Sequence, residues 1–264
     1  MNAARLLVVL GCILSVGFAR ADPAAPLVER VAAPFPPPVA VGDGKVTVVR
    51  IDPREHPLRL LTALTHGGAR TAPEWARAFG LRGVANAGMF LVGGRSVGLM
   101  VSASGINQPR VSPRYGAFLA FDPAEASDPP VAMFGRGCAG FDLSAIRARY
   151  RAVVQSIALL DCAGRPIPTG GRRAYSASAI GLDRAGRVAF VHVRTPFTMA
   201  MFRRILASSA VGLVSAMYLE GGPEASLWVR GERETVAEMG SFESGFFESD
   251  ENRRFWEIPN VIGF

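Results

Sequence analysis

The sequence predicts a single α+β domain with a mixed β-sheet core and a few flanking helices. Three observations lead there. Apolar residues make up 49% of the 264 residues and charged residues 19%, enough for a packed core and too apolar for disorder in the bulk of the chain. Twenty-nine glycines and 19 prolines demand many turns between short elements, which argues against a helical bundle. Segments with strand patterning outnumber helical ones without alternating regularly with them, which argues against a wound α/β sheet.

At the start of the chain, Arg5, the apolar run Leu6 to Phe18 and Ala19-Arg20-Ala21 have the charge, apolar core and cleavage site of a secretory signal peptide over residues 1–21. As a helix the run spans only about 20 Å, short of a bilayer core, so no stable membrane span is expected. The apolar stretch before Cys12 is too short for a lipoprotein site. The chain is expected to be exported, periplasmic or secreted, after cleavage near Ala21. Residues 22–42, with Pro34 and Pro36-Pro37-Pro38, read as an extended linker, leaving residues 43–264 as the domain.

Within the domain, alternation marks strands at Val46–Ile51, Leu58–Thr65, Tyr115–Phe121, Arg187–Arg194 and Ser226–Arg230. The near-continuous apolar runs Val153–Leu160 and Leu213–Leu219 read as strands buried on both faces. Thr71-Ala72-Pro73-Glu74 is a capping box that opens a helix to about Phe79. Asp142 caps a second helix to about Arg151, and Thr198 a third to about Ser208.

Beyond the leader, Cys138 and Cys162 are the cysteines of the chain. In an oxidising compartment such a pair is expected to form a disulfide, the alternative being two free thiols. The excess of 29 basic over 22 acidic residues is carried almost wholly by arginine, in doublets such as Arg172-Arg173, Arg203-Arg204 and Arg253-Arg254. These are scattered and not interleaved with aromatics, so a solvated face is expected and nucleic acid is not. His56, His66 and His192 lack metal-ligand spacing, and no S-x-x-K serves the single lysine, so no metal or cofactor is expected. Gly135-Arg136-Gly137-Cys138-Ala139-Gly140 fits G-x-G-x-x-G, with Asp161 some way beyond. The helix cap at Asp142 falls after the third glycine, where a dinucleotide phosphate would miss the helix start, so this reads as a turn beside a disulfide.

Three segments resemble the phosphodiester glycosidase family, whose lysosomal member uncovers phosphodiester-linked sugars. Val84-Ala85-Asn86-Ala87-Gly88-Met89-Phe90, followed by Ser96-Val97-Gly98-Leu99-Met100, is similar to the family's "N-[GA]-G-[YM]-F" and "P-V-G-L". Ser178-Ala179-Ile180-Gly181-Leu182-Asp183, with Gly186-Arg187-Val188, is similar to "R-T-A-I-G" and the turn after it. Met217-Tyr218-Leu219-Glu220-Gly221-Gly222 and Ser226 are similar to "L-D-G-G" and its serine, and Ile258 to Phe264 to the family's last strand.

The resemblance spans about residues 45–264 and implies an α+β hydrolase acting on a sugar-1-phosphodiester or related glycosidic bond in the cell envelope. Its physical sense is plain. Asn86 offers an acceptor and two donors for sugar hydroxyls or a phosphate oxygen, and Gly88 allows close backbone approach. Glu220 leaves an apolar strand for a glycine turn, where burial raises a carboxyl's pKa as a general acid requires. Ser226 is either a ligand contact or a strand-start hydroxyl. The sequence also departs from the pattern. Glu220 replaces aspartate and reaches one methylene further, "Q-S-G-P" has become Gln155-Ser156-Ile157-Ala158, and the arginine before "T-A-I-G" has become Ala177. Arg173, or Arg172, is the nearby candidate to supply the lost clamp. The expectation is thus Glu220 as acid/base carboxylate with Asn86, Gly88, Ser226 and Arg173 around a sugar-phosphate or glycan. The rival is a non-catalytic envelope glycan-binding protein that lost the arginine. Substrate identity, any metal requirement and oligomeric state stay open.

Overall fold

The computed structural model describes residues 25–232 and 234–264; the leader and Cys12 lie outside the described residues. The chain begins with β1 (Leu27–Ala32), β2 (Lys45–Ile51), β3 (Arg59–Thr62), α1 (Ala63–His66), α2 (Ala72–Phe79) and β4 (Gly83–Asn86). It continues through β5 (Met100–Ser102), β6 (Gly105–Gln108), β7 (Ala117–Pro123), β8 (Val131–Gly135), α3 (Leu143–Arg149) and β9 (Tyr150–Ser156). The last third holds β10 (Ala174–Asp183), β11 (Val188–Thr198), α4 (Met199–Ala207), β12 (Leu213–Gly221), a 3₁₀ turn Gly222–Glu224, β13 (Ser226–Arg230), β14 (Thr235–Met239) and β15 (Asn260–Gly263).

These strands form three five-stranded sheets, in the orders β1-β2-β11-β10-β12, β14-β13-β4-β15-β3 and β6-β5-β9-β7-β8. Every strand pairing among the described residues is antiparallel, so the expected mixed sheet is corrected, and the fold is predominantly β with short helices rather than a balanced α+β. The reason is that the helices, four to nine residues long, cap corners and do not carry parallel crossovers across sheet faces. One core joins all three sheets. Val49, Ile180 and Phe190 of the first meet Leu60, Ala85 and Ile262 of the second and Met100, Leu119 and Val154 of the third. The other face of the first sheet is closed by Phe202, Ile205 and Leu206 of α4 against Val48, Ala177 and Val191. Burial on both faces explains the continuous apolar pattern of β12.

The stretch read as a linker is corrected in part, because β1 pairs with β2 from Leu27↔Arg50 to Ala32↔Lys45. Its six proline-free residues add an edge strand, secured by Arg50 Nε to Glu29 at 2.6 Å. The strand expected over Leu58–Thr65 stops at Thr62, where α1 begins and ends at the left-handed Gly67. The apolar run Val153–Leu160 is part of a strand that starts earlier and ends at Ser156.

Candidate active site

The site is built where β12 leaves the core. Ser178 pairs with Glu220 and Ala179 with Tyr218, so Leu219 is an extra residue and forms a β-bulge, which bends the strand and re-aims the residues after it. Glu220 is only 8% exposed. Its Oε1 accepts the Gly221 N–H at 3.0 Å. Burial, opposed by that hydrogen bond and reinforced by the Glu224 and Glu243 carboxylates, lifts its pKa from 4.5 to about 8. Glu220 therefore holds a proton at neutral pH.

Glu224 ends the 3₁₀ turn, and Glu243 comes from the loop after β14, which is stitched to β10 by a Tyr175↔Glu243 bridge. Both carboxyls are raised above the usual range by burial. Glu243 raises Glu224 further, while Arg173 eases Glu243 back. Three tyrosines share the neighbourhood. Tyr218, Tyr115 and Tyr175 are raised first by burial and then, for the first two, by the Glu220 charge. The two glycines of the turn make room for this cluster. At Gly222, whose φ of 63° already favours glycine, an added Cβ would lie 2.6 Å from Glu243 Oε2.

Asn86 and Ser226 meet Glu220 through the backbone. Asn86 Oδ1 accepts from Ser226 N–H at 2.8 Å and from Ser178 Oγ at 3.3 Å, and its Nδ2 donates to the Glu224 carbonyl at 3.0 Å. Ser178 Oγ also lies 3.3 Å from the Glu220 carbonyl, and Ser226 Oγ donates to the Glu224 carbonyl at 2.9 Å. Asn86 thus ties β4 and β13 of the second sheet to β10 of the first, directly beneath the carboxylates. Gly88 lies two residues on at φ 127°, with open space where a Cβ would sit. Arg173 is exposed at the rim and acts on Glu243 and Tyr175, while no cation is among the groups that shift Glu220. Ala177 is buried in β10 opposite Gly221.

Sequence reasoning passed over Glu224, Glu243 and the three tyrosines. Glu224 had a signal, its place just after the Gly-Gly pair. Glu243 had none, because only the folding of a distant loop brings it in. His192 is buried with Nε2 3.2 Å from the Ala225 carbonyl, and burial lowers its pKa. Among the described residues no group of three or more His, Cys, Asp or Glu side chains is arranged to hold a metal. The Gly135–Gly140 loop is tied by a Cys138–Cys162 disulfide, and Asp142 caps α3 beyond it by accepting from Ser144 and Ala145 N–H. This loop lines a separate cavity of about 640 Å³ that contains none of the three carboxylates.

Fold and site together define a β-rich protein with a cluster of buried carboxyls at a bulged strand end. Residues 135–264 match the sequence profile of the phosphodiester glycosidase family. Glu220, Ser226 and Arg173 lie inside the matched stretch, and Asn86 and Gly88 precede it. In structure the chain is similar to the catalytic domain of zebrafish N-acetylglucosamine-1-phosphodiester alpha-N-acetylglucosaminidase auto-inhibited by its pro-peptide, with a TM-score of 0.61 and 14% identity over 92% of this chain and 84% of that one. A hypothetical protein from Synechocystis shares the fold with a TM-score of 0.53 and 18% identity over 84% of this chain and 60% of its own. No curated protein matches the chain in sequence.

Proposed function

We propose that the chain is an exported hydrolase that cleaves a sugar-1-phosphodiester or a related glycosidic bond in the cell envelope. The observation that carries this reading is Glu220, a buried carboxyl that keeps its proton at neutral pH with two further carboxyls beside it. Glycoside cleavage needs one group to protonate the leaving oxygen and another to serve the anomeric carbon. Glu220 has the proton for the first task, and the less buried Glu224 and Glu243 supply the second. A leaving phosphate is a weak base and needs little acid help. For that substrate the neutral state of Glu220 has a second use, since it removes a negative charge from the path of an anionic ligand. Arg173 at the rim is the cation available to the phosphate, and Asn86, Gly88 and Ser226 shape the floor. The likeness to the zebrafish enzyme, whose name states a sugar-1-phosphodiester substrate, supports this choice.

The test is hydrolysis of a panel of chromogenic glycosides and sugar-1-phosphodiesters by the mature protein, beside Glu220→Gln. Loss of the acid is expected to lower kcat by about 100-fold or more on substrates with poor leaving groups. Wild-type kcat is expected to fall as pH rises through about 8, where Glu220 gives up its proton. Turnover unchanged in Glu220→Gln would keep the enzyme and remove the residue. A folded wild type that binds sugar phosphates and turns over none of the panel would leave a glycan-binding protein.

A further inference from the structure

Tyr218 precedes the bulge, and only 5% of its surface is left exposed in the fold. A tyrosine buried to this degree ordinarily spends its hydroxyl on a protein partner. This one does not: Tyr218 Oη makes no hydrogen bond among the described residues. Nor is it sealed in apolar packing. The fully buried side-chain atoms of the described residues that lack a hydrogen-bond partner are Arg50 Nη1, Tyr150 Oη, Ser156 Oγ and Arg203 Nε, and Tyr218 Oη is not among them, so part of its surface stays accessible. Its position is set by a glycine. A Cβ on Gly221 would overlap Tyr218 Oη, while the ring carbon Cζ lies at an ordinary 3.5 Å from that point. Gly221 therefore leaves room for the hydroxyl and for nothing else of Tyr218, next to the peptide N–H that holds Glu220.

We propose that the Tyr218 hydroxyl is a substrate-contacting group of the Glu220 pocket, donating its hydrogen bond to a phosphoryl or sugar oxygen, and that Gly221 is kept small to seat it. The inference rests on the glycosidase reading and deepens it. A neutral donor suits an anionic or hydroxyl-rich ligand in a pocket crowded with carboxyls. Burial and the surrounding Glu220, Glu243 and Glu224 charges raise the phenol well above its ordinary pKa, so it stays a donor across the working range.

Tyr218→Phe removes one oxygen and no internal hydrogen bond, so its melting temperature is expected to equal or exceed that of the wild type. Its kcat/KM is expected to fall by about tenfold to 100-fold, the scale of a lost donor in a desolvated site. Binding of glucose 1-phosphate, measured by calorimetry, is expected to weaken by about tenfold. Gly221→Ala is expected to reproduce the loss in the wild type and to cost little more in the Tyr218→Phe background, where the Cβ meets only the Ser176 carbonyl at 3.4 Å and ring carbon at 3.5 Å, both ordinary contacts.

Wild-type kcat/KM and wild-type affinity in Tyr218→Phe would overturn the proposal, as would Gly221→Ala losses that are the same in both backgrounds. If the wild type hydrolyses nothing, the enzymatic reading fails by itself and glucose 1-phosphate affinity decides Tyr218: weakened binding upholds the contact and unchanged binding ends it. A wild type that neither turns over nor binds overturns both.

Discussion

Glu220 links its protonation to the stability of the fold. Its pKa is about 8 in the folded chain against an ordinary 4.5, so between those values the folded state binds one more proton than the unfolded state. Its contribution is therefore intact below pH 4.5 and is lost as pH rises through about 8. At one pKa unit per 1.36 kcal/mol, the full loss is on the order of a few kcal/mol. Glu220→Gln cannot ionise, so its melting temperature is expected to decline less than that of the wild type from about pH 5 to about pH 9. Parallel melting curves across that range would place the carboxyl in water and remove the basis for its acid role. At this scale the sequence disclosed residues that stand in a recognisable local run. Glu220 was legible because it ends an apolar strand at a Gly-Gly turn. Tyr218 was not, because two positions earlier it reads as one more apolar strand residue, and its free hydroxyl exists only in the packed structure.

Strands come to the site through one amide. Asn86 receives two hydrogen bonds and gives one, binding β4, β10 and β13 across two sheets. Asn86→Ala would leave the buried Ser226 N–H without a partner, at about 1–3 kcal/mol, and the Glu224 carbonyl with the Ser226 hydroxyl alone. The expected outcome is a loss of roughly 1–3 kcal/mol in urea unfolding, with activity falling further than stability because the carboxylates lose their floor. Unfolding that matches the wild type would show that the sheets hold their spacing without the brace. What was legible at this scale was local chemistry. Glu74 reaches back to the Thr71 N–H at 2.9 Å, and Asp142 and Thr198 cap their helices, as the short-range patterns require. Two of the strands that escaped notice did so for clear physical reasons. Prolines on both sides hid β1, whereas β10, Ala174–Asp183, is rich in small residues and buried on both faces, so it shows no alternation.

The molecule as a whole depends on pairings far apart in sequence, such as β2 with β11 and β4 with β15, which no local pattern announces. That is why a core was foreseeable while its antiparallel three-sheet arrangement was not. The Cys138–Cys162 disulfide is the long-range tie that composition did suggest, and its consequences can be separated. It closes a separation of 24 residues, joining the loop after β8 to the turn after β9. A closed loop of this size stabilises by roughly 3 kcal/mol through the unfolded chain, which in a protein of this length corresponds to a melting temperature about 6–12 °C higher. The same loop carries Arg136, whose guanidinium donates to the Ser112 and Pro113 carbonyls at 2.9 Å each. That segment leads to Tyr115 beside the site and is held independently by Gln155, whose Nε2 donates to the Ser112 and Tyr115 carbonyls at 2.8 Å each. Reduction, or the double replacement Cys138→Ser and Cys162→Ser, therefore loosens one of two clamps. Melting temperature is expected to drop by the amount above, while kcat/KM well below the melting point stays within a few-fold of the oxidised protein. An unchanged melting temperature after both thiols are titrated free would show that the bridge adds nothing to the fold. A collapse of turnover at low temperature would show instead that Arg136, not Gln155, holds Tyr115 in place.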